Sequence, residues 1–246
     1  RQRDLTEAEE RAIEAEAAYY KVHWPLEESQ SGRDLRLSPL HGQLRRAGAV
    51  FGSRAGWERA NWFAPAGVEP VDIASFEGKP NWFSHVAEEH RAIRERVALI
   101  DQTSFSKFEI SGAGAEAALQ RIAANDLSGP PGKAVYTQFC NDRGGIEADV
   151  TLVHAGADHF YLVTGSGFGV RDSGWVAKHL PASVGMRDVT GAFAVINICG
   201  PRSREILQSV TDQDISNAKL PFLAARRIDV GHATALAVRI GYVGEL

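Results

Sequence analysis

The first clear pattern in the chain is LTEAEERAIEAEAAYY, where isolated apolar positions are set among alanine and glutamate. Such a run has high helix propensity and predicts a helix to Tyr20. Thr6 and Glu9 have the spacing of a capping box at its start. From Lys21 to Phe63 the periodicity lapses into an irregular, aromatic-rich texture that suits a segment packed against another domain. The Pro- and Gly-rich stretch 64–80 is the best boundary, dividing the chain into 1–63 and 64–246. Beyond it, Ser84 can cap a helix through Leu99, in which Val86, Ile93 and Val97 recur near the helical period. Next come a strand over Phe105–Ile110 and a helix over Ala115–Ala123. Two strand-like runs joined by NDRGG then predict a hairpin, and His159–Thr164 reads as a further strand. After the loop GSGFG the pattern predicts a helix at Asp172–His179, a strand at Phe193–Cys199, a helix with Pro201 in its first turn, and a strand pair at Arg226–Val230 and Thr234–Ile240. Strands and helices mix without strict βαβ alternation. The expected fold is α+β, with mixed, largely antiparallel sheets and packed helices.

Composition narrows the function classes. A chain of 246 residues buries roughly 70–75% of its unfolded surface. Hydrophobic and charged fractions of 44% and 24% are ordinary for a globular protein. The net charge of −4 leaves no footprint for nucleic acid. No apolar run reaches the roughly 20 residues of a membrane helix, and the first residues have neither the apolar segment nor the cleavage site of a signal peptide. A cytoplasmic protein is expected, or one of the mitochondrial matrix in a eukaryote. Cys140 and Cys199 sit inside apolar runs and read as small buried thiols. Both ends read as cut, so a fragment of a longer protein is expected.

Asp149 is the leading candidate for chemistry. A carboxylate on a strand between Ala148 and Val150 must face water, a partner or a ligand, because an unpaired buried charge is costly. Hairpin parity decides what stands beside it. An odd sum of paired residue numbers, as a four-residue loop 142–145 would give, puts Tyr136 on the same face, diagonal to Asp149 at roughly 7–8 Å. An even sum puts them on opposite faces. Other candidates read as structure. GSGFGV has valine where a dinucleotide loop needs its third glycine. His85 and His90 stand about 140° apart around a helix, and no metal is expected. Glu9, Glu10, Glu14 and Glu16 read as exposed surface, and Trp57, Trp62 and Trp82 as packing anchors.

The run NDLSGPPGKAVYTQFCNDRGGIEAD closely resembles the signature of the tetrahydrofolate-binding module shared by the glycine-cleavage T-protein and the dimethylglycine and sarcosine dehydrogenases. By that resemblance Asp149 takes the catalytic carboxylate's place and Tyr136 the folate-site tyrosine's. GYVGE is similar to the family's GY-x-GE, which implies that Glu245, with Tyr242, holds the pterin. GRDLRLSPLHGQLRRAGAVFGSRAGWERANWF resembles the connection between flavin and folate domains in the dehydrogenases, and EEHRAIRERVALIDQTSFSKFEISG resembles the family's next stretch of chain. The resemblance implies a T-protein-like fold. Residues 1–63 would be the end of a flavin domain and its connector, and 64–246 a folate domain incomplete at its C-terminus. It further implies tetrahydrofolate as cofactor, FAD on a missing N-terminal domain, and a flavin-binding domain or subunit as partner. Folate-dependent methylene capture coupled to oxidative demethylation of an N-methyl amine is the implied activity. The alternatives are a non-catalytic scaffold that docks a flavin subunit and a stand-alone aminomethyltransferase. No membrane partner is implied, and the family admits oligomers.

Overall fold

The computed structural model describes residues 5–23, 27–73 and 77–241. They divide into two units, Arg1–Ala92 and Ile93–Leu246.

The first unit holds α1 (Leu5–Tyr19), α2 (His41–Arg46), β1 (Ala49–Arg54), β2 (Trp57–Phe63) and most of α3 (Phe83–Glu95). The region read as irregular, 21–63, therefore contains a helix and an antiparallel hairpin. Its turn uses Ala55 and Gly56 at φ 52° and 80°, a left-handed pair that suits a tight hairpin but lacks the usual Asn-Gly or Asp-Gly signal. Trp62 is buried against Val50 and Ala64, with Trp82 and Val86 packed alongside. Its indole Nε1 donates to Asp72 at 2.5 Å, and its ring stacks on His85. Glu58 is buried. Arg33 Nε donates to its Oε1 at 2.8 Å and Arg33 Nη2 to its Oε2 at 2.5 Å. Burial pushes the Glu58 carboxyl up, but Arg33 and the Asp34 amide more than offset this and hold it below its ordinary value. Glu14 departs from the exposed-surface reading: it accepts the Gln30 amide at 2.6 Å and the Ser31 amide at 3.0 Å. Helix α1 spans Leu5–Tyr19 among the described residues, so Thr6 lies within it rather than ahead of it.

The second unit contains β3 (Ala98–Asp101), β4 (Ser106–Ser111), α4 (Ala115–Gln120), β5 (Lys133–Cys140), β6 (Ile146–Gly156) and β7 (His159–Thr164). After these come α5 (Gly169–Ala177), β8 (Gly185–Asp188), β9 (Ile196–Cys199), α6 (Ser203–Gln208), β10 (Ala225–Val230) and β11 (Ala233–Val238). Helix α3 ends at Glu95 rather than Leu99, because 98–101 pairs with β9 as a strand. Helix α6 starts after Pro201 rather than with it. Strands β5-β6-β7-β4-β8 form one sheet, and every pairing among the described strands is antiparallel.

Alternation assigns the two faces of this sheet. Val135, Phe139, Ala148, Val150, Leu152, Phe160, Leu162, Phe108 and Ile110 face one side and pack with Ala115 and Leu119 of α4 and Val176 of α5. On the opposite face Ala134 and Val153 are covered by Ala225, Leu236 and Val238 of the β10–β11 hairpin. The stretch of that face nearer the β5–β6 turn carries the candidate site.

Candidate active site

The site depends on how β5 meets β6. At the turn Cys140 pairs with Ile146. Had that register continued, Asp149 would stand opposite Thr137, whose side chain is completely buried, and Tyr136 opposite Val150. One extra residue, Glu147, intervenes as a β-bulge, after which Phe139 pairs with Ala148, Gln138 with Asp149 and Tyr136 with Thr151. A one-residue shift moves every subsequent side chain to the other face. Asp149 thereby leaves the core side and joins Tyr136. The odd parity expected from a loop over 142–145 is thus present, but it is reached by a loop over 141–145 together with the bulge. Asn141 closes that loop: its Oδ1 accepts the amides of Arg143 at 3.0 Å and Gly145 at 2.9 Å.

The Tyr136 hydroxyl donates to Asp149 Oδ2 at 2.9 Å, and Gln138 Nε2 lies 3.4 Å from Oδ1. Both Tyr136 and Asp149 are exposed, so the carboxylate keeps lone pairs available to a donor arriving from outside. Among the described residues the pair stands on an exposed stretch of the sheet face. Two shallow concavities of the second unit are lined by residues other than Asp149. One, of about 650 Å³, is lined by residues including Gln120, Asp126 and His154, and the other, of about 680 Å³, by residues including Glu109, His159 and Arg187. In the latter, His159 Nε2 lies 2.9 Å from Glu109. Hydrogen bonding to Arg187, aided by His159, holds the Glu109 carboxyl below its ordinary value. Tyr242 and Glu245 lie outside the described residues.

Sequence reading missed Lys107. The ladder Lys107–Val163–Thr151–Tyr136 places it on the same face as the candidate pair, three strands along. It is buried, and its Nζ donates to the carbonyls of Thr103 and Phe105, each at 2.8 Å. Burial pulls its pKa down to about 8 despite Asp188 and Asp101. The sequence carried no signal for it: SKFEIS alternates polar Lys107 and Glu109 with apolar Phe108 and Ile110, so the lysine reads as solvent-facing.

GSGFGV joins β7 to α5, but β7 is antiparallel to both its neighbours, so no βαβ unit is present for a dinucleotide. His85 is engaged with Trp62, while His90 is exposed. Among the described residues no cluster of His, Cys, Asp or Glu could hold a metal, and no helix is long and apolar enough to cross a membrane. Cys199 is buried and Cys140 half-buried, and neither forms a disulfide.

Comparison with known proteins bears on this arrangement. The 4-methylaminobutanoate oxidase (formaldehyde-forming) of Paenarthrobacter nicotinovorans is 40% identical over 230 residues, 92% of this chain and 28% of that protein. Human mitochondrial sarcosine dehydrogenase is 32% identical over 276 residues, covering 96% of this chain and 30% of its own length. The chain therefore spans under a third of either relative. Among solved structures, the glycine cleavage system aminomethyltransferase T of Bartonella henselae shares the fold with a TM-score of 0.60 at 21% identity, covering 78% of this chain and 47% of that one. The oxidase and the dehydrogenase are both enzymes, residues 40–246 match the model of the GCVT N-terminal domain, and the chain belongs to that family.

Proposed function

We propose that this chain supplies the folate half of an oxidative N-demethylase: it captures, on tetrahydrofolate, the one-carbon unit released when an N-methyl amine is oxidised. The observation that carries this reading is the bulge-corrected register, which sets the Tyr136 hydroxyl 2.9 Å from Asp149 on an open face of the sheet. Flavin, expected on the domain whose end and connector residues 1–63 would form, would supply the oxidation. The captured electrophile is the resulting iminium. A folate secondary amine forms the new C–N bond, and its N–H proton passes to Asp149. The demethylated amine would leave with the proton that the second folate nitrogen gives up as it closes the methylene bridge. Asp149 also stabilises the positive charge that develops on the attacking nitrogen. Tyr136 fixes the carboxylate oxygen by donating to it, and its ring offers a flat surface to the pterin. Glu245 and Tyr242, carried by resemblance alone, would orient the pterin through its N–H groups.

The test uses the full-length protein turning over an N-methyl amine with tetrahydrofolate in the presence of a formaldehyde trap. Asp149→Asn should reduce 5,10-methylenetetrahydrofolate formation by about 10² or more, with folate affinity changed only a few-fold and the carbon diverted to the trap. Unchanged partitioning would remove Asp149 from the chemistry. A docking module is the competing reading, favoured by the exposure of Asp149. Tetrahydrofolate at about 100 times its dissociation constant should add about 2.7 kcal/mol of stability if the folate reading holds, and nothing if the module only docks.

A further inference from the structure

We propose that Glu147 and Arg171 are positioning residues that hold the β6 bulge and so aim Asp149 at its substrate; this rests on Asp149 as the proton acceptor. A bulge breaks the strand ladder locally and leaves its extra residue without a partner across the sheet. Something outside the ladder has to hold it. Here Arg171, in the first turn of α5, spans the gap: Nη2 donates to Glu147 Oε2 at 2.9 Å, and Nη1 donates to the Glu147 carbonyl. The other Glu147 oxygen accepts Asn141 Nδ2 at 2.8 Å, which ties the bulge to the turn that precedes it.

The clamp is anchored in the sheet. Arg171 Nη1 lies 3.3 Å from Asp172 Oδ1, and Asp172, 2% exposed, accepts the Thr164 hydroxyl at 2.6 Å. Thr164 is the last residue of β7, paired with Ser106 of β4. A continuous polar chain therefore runs from the centre of the sheet to the residue that decides which face Asp149 occupies. This also gives the glycine loop a role. A Cβ on Gly169 would collide with Ser106 Oγ, so glycine there lets the first turn of α5 sit directly on β4, where Arg171 can reach Glu147. A planar two-pronged donor is required, because one prong takes the carboxylate and the other the backbone carbonyl; lysine can satisfy only one.

The experiment is a double-mutant cycle in the full-length protein. Arg171→Met should lower methylene transfer about 10-fold with the KM for tetrahydrofolate within about 2-fold, and in an Asp149→Asn background the same change should cost less than about 2-fold. Arg171→Lys should restore part of the loss. Glu147→Gln, the gentler variant should Arg171→Met fold poorly, should act in the same direction. Backbone amide exchange at Ala148–Val150 should quicken in Arg171→Met, while that of Phe108–Ile110 stays unchanged. Equal losses in both backgrounds, or unaltered exchange at Ala148–Val150, would overturn the clamp. If Asp149→Asn itself leaves transfer intact, the functional reading fails and the clamp's catalytic role fails with it, whatever the exchange shows.

Discussion

The two faces of the five-stranded sheet are made from alternate residues of the same strands, yet they answer to different rules. On the helix-covered face, Phe139, Phe160, Leu152, Leu162 and Ile110 are at most 1% exposed and form one continuous cluster. On the other face, the stretch near the turn shows Tyr136, Gln138, Asp149 and Thr151, and only the far part is sealed by the β10–β11 hairpin. The dry face specifies its residues by volume. The open face specifies its own by register, since Tyr136 and Asp149 meet only because one residue bulges out of β6. Packing is thus concentrated on one side of the sheet and, on the proposed function, chemistry on the other, and substitutions should separate them.

The largest separation is expected at Phe139. It is fully buried, and its ring stacks on Trp175 at 6.0 Å. Phe139→Ala removes the apolar contact and leaves a cavity between β5 and α5, at a cost of about 3–5 kcal/mol. Urea denaturation measures this directly. A loss under about 1 kcal/mol would mean that the helix-covered face is not the packed core described.

A smaller effect, with a distinctive pH signature, is expected at Lys107, a charged group buried on the open face. Its folded-state pKa of about 8 lies below its ordinary 10.5. Between those values the folded chain binds fewer protons than the unfolded chain, so stability rises with pH through this window. Below about pH 8 the cost of burying the charge is present in full. Lys107→Met abolishes this gain, so the wild type should improve relative to the variant by about 1–2 kcal/mol between pH 7.5 and 10. Denaturant midpoints of the two proteins at matched pH provide the check. A difference independent of pH would mean that Lys107 is as well solvated folded as unfolded.

The same contrast explains what could be read from the letters. His159–Thr164 was legible to the residue because its aromatic and branched apolar run FYLV has high strand propensity and is bounded by Asp158 and Gly165. Strand β8 was not: Gly185–Asp188 carries no apolar alternation and is a strand only because β4 supplies its ladder. Strand β3 was absorbed into the preceding helix, because RVALI continues the helical spacing and its partner β9 lies almost a hundred residues later. The first hairpin was hidden by an Ala-Gly turn. At the site, the identities of Tyr136 and Asp149 were legible through resemblance, but their shared face was not. Parity depends on Glu147 being extruded, and what holds it there is Arg171, twenty-four residues away. The burial of Lys107 was illegible for the same reason: its two acceptors are backbone carbonyls of a turn, which no side-chain pattern reports.

The smallest effect on stability, and the sharpest test of the contrast, is expected at Tyr136. Its side chain is 48% exposed, and what its hydroxyl adds is a hydrogen bond to an exposed carboxylate. Water can replace that bond on either partner, so Tyr136→Phe should change unfolding free energy by no more than about 0.5 kcal/mol. The corresponding change across the sheet, Phe139→Ala, should cost several times as much although the two residues lie three apart on one strand. Tyr136→Phe should nevertheless lower methylene transfer, because Asp149 loses the donor that holds one of its oxygens at a fixed angle. Chemical denaturation and the transfer assay on the same preparation decide the matter. A stability loss above about 1.5 kcal/mol would mean that the phenol–carboxylate pair contributes to the fold itself, and the division between a face for stability and a face for chemistry would no longer hold.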